Sequence, residues 1–128
     1  TAGLDPKERN QFSQLLSEMS KDKIILLSTH IVSDVEAIAD QIMIMKKGCL
    51  IAHDTPQKLL SMLDGRVKER QVSQKELEQL RGHAVICYQR VSTQGTLVRY
   101  LDETGRDACS VEPTLNDLYL YHFQEEEA

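Results

Sequence analysis

The spacing of hydrophobic positions changes several times along this chain, and each change marks an element. Over 6–19, apolar residues fall at Phe12, Leu15, Leu16 and Met19, a spacing that predicts a helix with those four side chains turned inward. Its start is well marked: Asp5 can accept from a first-turn amide, Pro6 suits the first helical position, and Glu8 completes a capping box. The run 24–27 is continuous rather than periodic, too short for a helix, and of the kind a parallel sheet buries on both faces. Ser28, Thr29 and His30 end it. Helical spacing resumes over 31–39, with Ile31, Val35, Ile38 and Ala39 on one face and Asp34, Glu36 and Asp40 turned to water. Strand, polar tip, helix and a further strand make a βαβ unit. The carboxyl end of its first strand opens onto the crevice where ligands sit, and His30 stands there.

Alternation takes over in 41–46, where Ile42 and Ile44 oppose Met43 and Met45. Lys46-Lys47-Gly48 predicts a hairpin turn with Gly48 at positive φ, and 49–53 returns as the partner strand. Thr55 caps and Pro56 opens a short helix over 57–63. Asp64-Gly65-Arg66 punctuates the chain, which sets the expected domain boundary between 1–64 and 65–128. Beyond it, Ser73 and Glu76 form a capping box for a helix over 74–80, ended by Gly82. Antiparallel strands are expected over 83–92 and 96–101, joined through Gln94-Gly95, with a third short strand over 108–112. Pro113-Thr114 leads into a last helix over 115–123, where Leu115, Leu118, Tyr119 and His122 can share a face, and the acidic end 125–128 is expected to fray.

Several short motifs, met in order, carry a resemblance. Ala2-Gly3-Leu4-Asp5 resembles the D-loop of ATP-binding cassettes, the nucleotide-binding subunits of ABC transporters, and Ser28-Thr29-His30 resembles their switch histidine. Asp40-Gln41-Ile42, Lys47-Gly48 and Thr55-Pro56 resemble the aspartate, hairpin glycine and helix start that follow. The phrase Glu112-Pro113-Thr114-Leu115-Asn116-Asp117-Leu118 resembles the ending of export-type cassettes that append a small α/β module. The fold class so implied is α/β: the distal part of a P-loop NTPase-like ABC cassette core, its sheet incomplete, followed by a small α/β module.

The resemblance also implies roles. His30 would be the catalytic residue that contacts the terminal phosphate and orders the attacking water, since an imidazole can donate from one nitrogen and accept at the other. Ala2, Gly3, Leu4 and Asp5 would lie at the nucleotide-binding interface between two head-to-tail cassettes, with Gly3 allowing close approach. Ala2 stands where many relatives carry Ser, so it offers no hydroxyl there. The expected parent is a transport-coupled ATPase using ATP and Mg²⁺, cytoplasmic and held to the membrane through a membrane-spanning subunit, with a second copy of the cassette as partner.

The sequence holds no GxxxxGK[ST] loop, no cassette signature segment and no acidic strand for magnesium. Those parts are expected before Thr1, so this chain reads as a fragment. Alone it is expected to be inactive, to hold no cofactor tightly, and to self-associate through the unpaired strand 24–28. The competing reading is a non-catalytic interaction or regulatory module working through 65–123.

Composition narrows the field further. The 128 residues are 27% charged and 41% hydrophobic, as suits a globular chain. No apolar run approaches the roughly 20 residues of a membrane span. The formal net charge of −5 argues against nucleic acid as a partner, because phosphate backbones are held by basic surfaces. Cys49, Cys87 and Cys109 lack CxxC spacing and read as reduced apolar fillers. His30, His53, His83 and His122 match no zinc pattern, so no metal site is expected.

Overall fold

A computed structural model describes residues 5–36 and 38–124. The chain folds as two units, Thr1–Pro56 and Gln57–Ala128. Together they make a mixed α/β chain with two small antiparallel sheets.

In the first unit, helix α1 spans Pro6–Met19 and forms half of the expected capping box: the Asp5 carboxylate accepts from the Glu8 amide at 2.8 Å, without the return bond from the Glu8 side chain that α4 and α5 show at their own caps. The expected inward face does not form. Phe12 and Leu16 are half-buried, whereas Leu15 and Met19 are exposed, and α1 has no buried residue. The stretch 24–29 is likewise no strand, and Ile24 and Leu26 are 101% and 80% exposed. A strand buried on both faces needs a neighbour for its amides and a layer over its side chains, and no described residue supplies either. The βαβ unit is therefore not assembled. The following helix shrinks to α2, Ser33–Glu36, although Ile31, Val35, Ile38 and Ala39 are half-buried as their spacing implied. A helix this short is marginal without packing to support it.

The hairpin does form. Strands β1, Ile42–Lys46, and β2, Cys49–Asp54, pair antiparallel from Ile42 opposite Asp54 to Lys46 opposite Cys49, with a bulge between Ile44 and Met45. Lys47 and Gly48 both take positive φ, 50° and 79°, the mirror-image turn that matches strand twist. Ile42 and Ile44 lie inward while Met43 and Met45 are exposed.

Helix α3, Pro56–Ser61, starts on the last residue of the first unit, and in the second unit it gives way to a turn that carries Leu63. Strand β3, Val67–Val72, precedes helix α4, Gln74–Arg81, whose capping box is complete: Glu76 N donates to Ser73 Oγ and Ser73 N to Glu76 Oε1. Strands β4, Val85–Ser92, and β5, Gly95–Leu101, form the expected hairpin, and helix α5 spans Leu115–His122. The sheet order is β3-β5-β4, all antiparallel. Strand β3 has no counterpart among the sequence expectations. Conversely, the short strand expected over 108–112 reduces to a single bridge between Ser110 and Lys68.

Side chains of a strand alternate between faces, and β5 uses both. Val98 and Tyr100 pack with Val72, Leu77 and Leu80 under α4, joined by Ala84 and Ile86. Arg99 points to the opposite face, where α5 lies, with Leu115 and Leu118 buried. Each fully buried leucine contributes roughly 1.5–3 kcal/mol by leaving water. Among the described residues, the buried ones, from Leu59 to Leu118, all belong to this second unit.

Candidate functional site

His30 is exposed, at the end of the extended stretch 24–29. The local turn has a simple cause. The Thr29 hydroxyl accepts from the Ile31 amide at 3.0 Å, which bends the chain around His30 and leaves its imidazole outside. Asp5 is also exposed, and its carboxylate is engaged with the Glu8 amide. Among the described residues no hydrogen bond or ion pair joins Asp5 to His30. Ala2, Gly3 and Leu4 lie outside the described residues. Of the residues expected to form a site, the described ones thus give an accessible imidazole on a polar bend and a capped helix start. An imidazole so placed can donate to a phosphate oxygen and accept from a water, but it needs other groups to hold the phosphate.

Among the described residues, the buried charged side chains, Lys68 and Asp117, lie in the second unit, in two clusters that the sequence reading did not single out. Arg99 is the centre of the first. Its Nε and Nη2 donate to Asp117 at 3.0 and 2.7 Å, its Nη1 to Glu69 at 2.7 Å, and its Nη2 also to the Glu112 carbonyl at 2.8 Å. Asp117 is only 1% exposed and simultaneously accepts from the Thr114 amide at 2.8 Å, closing the capping box of α5. Its hydrogen bonds with Asp117 hold the Arg99 guanidinium above its ordinary pKa, against the opposing effect of burial. Burial acts to raise the Asp117 carboxyl, and the Arg99 and Thr114 hydrogen bonds outweigh it, so it sits below the usual carboxylate range. The local signal was present in Thr114-x-x-Asp117. The partner across the sheet was not.

Lys68 is the centre of the second cluster. It is 1% exposed on β3, with Nζ 2.9 Å from Asp107 and 3.1 Å from Asp102, and it also donates to the Thr104 hydroxyl. Burial works to lower its pKa, but the bonds to Asp107 and Asp102 prevail and the net shift is upward. Asp107 is lowered by Lys68 first and the Cys109 amide second. In Asp102, burial acts to raise the carboxyl, and Thr104 and Lys68 more than offset it. The carboxylates of this cluster are engaged by a cation, a hydroxyl and backbone amides, which leaves no vacant ligand set. Among the described residues, no group of three or more His, Cys, Asp or Glu is placed to hold a metal ion. No helix among them is long and apolar enough to cross a membrane.

No family model matches the chain. Individual proteins do. The energy-coupling factor transporter ATP-binding protein EcfA2 of Staphylococcus saprophyticus is 43% identical over 63 residues, which is 48% of this chain and 22% of that protein. The protein of the same name from Lactobacillus acidophilus is 41% identical over 61 residues, 47% of this chain and 21% of the relative. That from Staphylococcus aureus is 36% identical over 61 residues, 46% of this chain and 21% of the relative. The chain thus matches about a fifth of the length of these relatives. Over about half of its own length, the chain is similar to one part of the ATP-binding subunits of ABC-type transporters, the resemblance that its ordered motifs carried.

Proposed function

We propose that the chain is the C-terminal part of the ATP-binding subunit of an ABC transporter, which couples ATP binding and hydrolysis to movement of a solute across a membrane. The observation that carries this reading is the coincidence of two things: the ordered run from Asp5 through His30 to Thr55-Pro56, and the 43% identity with a transporter ATP-binding protein. In this reading residues 1–64 belong to the nucleotide-binding domain and 65–128 form an appended module. His30 senses the terminal phosphate of ATP, bound with Mg²⁺ in the complete protein, while Ala2, Gly3, Leu4 and Asp5 meet a second cassette. A membrane-spanning subunit is the partner that transmits the motion, and the complete protein lies on the cytoplasmic side. For direction, the support is the phrase 112–118, which favours export; the names of the similar proteins carry no word on it.

The reading frame upstream of Thr1 tests the proposal directly. A GxxxxGK[ST] loop is expected there, because backbone amides of such a loop cradle the phosphates that His30 alone cannot hold. A frame without one overturns the proposal in favour of an interaction module working through the second unit.

Two outcomes follow for the 128-residue chain itself. Titration calorimetry with ATP and Mg²⁺ is expected to give a dissociation constant of about 1 mM or weaker, since one imidazole offers only one or two hydrogen bonds. A micromolar value would mean that a nucleotide site exists which this reading has missed. Sedimentation at tens of micromolar is expected to show self-association. Ile24 and Leu26 stand exposed on backbone without a strand partner, and pairing with a second copy buries them at roughly 25 cal/mol per Å². A monodisperse monomer would rule this out.

A further inference from the structure

We propose that residues 102–111 form a strap that opens as one piece to bare the outer edge of β3, with the Lys68 cluster as its latch. The inner edge of β3 is paired with β5 along its whole length, from Val67 opposite Leu101 to Val72 opposite Thr96. Its outer edge is covered by the strap: Glu69 N donates to the Cys109 carbonyl at 3.0 Å and Val111 N to the Val67 carbonyl at 2.9 Å. A covered edge cannot template another strand, and a bared one can.

The strap is held almost entirely by polar contacts. Residues 103–108 are all exposed, and none in 102–111 is buried, so little apolar area keeps it down. Lys68 alone holds it at three points, Asp102, Thr104 and Asp107, from within the sheet. Of the flanking bonds, Arg66 to Glu103, which is 84% exposed, and Arg106 to Asp64 are exposed and weak by comparison, while the strap's first residue is tied by Arg66 Nε to the Asp102 carbonyl and by the Asp102 amide to the Arg66 carbonyl, both at 3.2 Å. Ser110 Oγ adds a bond to the Gly65 carbonyl at 2.8 Å. Segments with few buried contacts and exposed hydrogen bonds open at lower cost than the core. Because one cation gathers three strap positions, losing it frees them together rather than one at a time.

The charged groups around the latch set its sense. Asp102 and Asp107 face Lys68 directly, Arg70 adds positive charge near Asp107, and Arg66, Glu103, Arg106 and Asp64 lie along the strap. Both carboxylates are held below their ordinary value, so their grip is full above about pH 4 and is lost as pH falls through the lowered values.

Amide hydrogen exchange by NMR on the whole chain and on Asp107→Asn tests the strap. The substituted side chain keeps an oxygen for the Cys109 amide and removes the charge that Lys68 holds. The protection of the Glu69 and Val111 amides is expected to fall about tenfold or more in the variant, with Val98 unchanged within about twofold. In the unaltered chain the same two amides should lose protection first on acidification. Unchanged Glu69 and Val111 amides overturn the proposal. So does an equal loss at Val98, or outright unfolding, because the strap is then no separate unit.

Discussion

His30→Ala in a full-length protein carrying this segment is expected to cut ATP turnover by a factor of about 100 or more, with nucleotide affinity within about threefold of the parent. The split follows from what the imidazole can touch. In the proposed full-length protein, ATP would be held by a phosphate loop and by base stacking, to which an exposed imidazole on a bend would add little. In the transition state, charge gathers on the terminal phosphoryl oxygens and a water must sit in line, and there a positioned donor and acceptor acts on the barrier. Steady-state kinetics with a separate nucleotide-binding titration measure both quantities. A variant with near-normal turnover would make His30 an ordinary polar residue on an exposed turn. A variant that loses affinity and turnover in equal measure would move its role to ground-state binding.

Much of what was legible in the sequence is local, and the reason is physical. The caps at Asp5, Ser73 and Thr114 lie within three residues of the amides they bond, so the pattern alone places three helix starts. The Lys47-Gly48 turn is fixed by which residues tolerate positive φ, and its strands follow from alternation. What failed depended on distant partners. Residues 24–27 read as a buried strand because of composition, yet a strand exists only when another lies beside it. Val67–Val72 went unread for the converse reason: Lys68, Glu69 and Arg70 look like a solvated run until Asp102, Asp107, Arg99 and Tyr100 arrive from some 30 or more positions away. The candidate site shows the same division. His30 and its bend could be read from Ser28-Thr29-His30, whereas nothing local reveals what the imidazole would hold.

Arg99→Leu is expected to destabilise the second unit by about 3–5 kcal/mol. The loss exceeds that of a surface ion pair because of what remains behind. Asp117 is 1% exposed, so without the guanidinium its carboxylate is buried with the Thr114 amide and hydroxyl as its chief support. Glu69, 30% exposed, can turn to water and matters less. Adding Asp117→Asn to Arg99→Leu removes the stranded charge and should restore about 1–3 kcal/mol, so the two substitutions are far from additive. The pH dependence changes sign. In the parent, Asp117 lies below its ordinary pKa, so its contribution is present above about pH 4 and is lost as pH falls through the folded value. In Arg99→Leu, burial without a cation should lift that pKa instead, and acid then relieves the penalty. Urea unfolding at neutral and at mildly acidic pH measures both effects. All four tyrosines, Tyr88, Tyr100, Tyr119 and Tyr121, lie in the second unit and the chain has no tryptophan, so tyrosine fluorescence follows that unit. An Arg99→Leu chain within about 1 kcal/mol of the parent, with the parent's pH profile, would show that the apolar layers around Val98 and Leu118 carry the unit and that the ion cluster merely sits upon it.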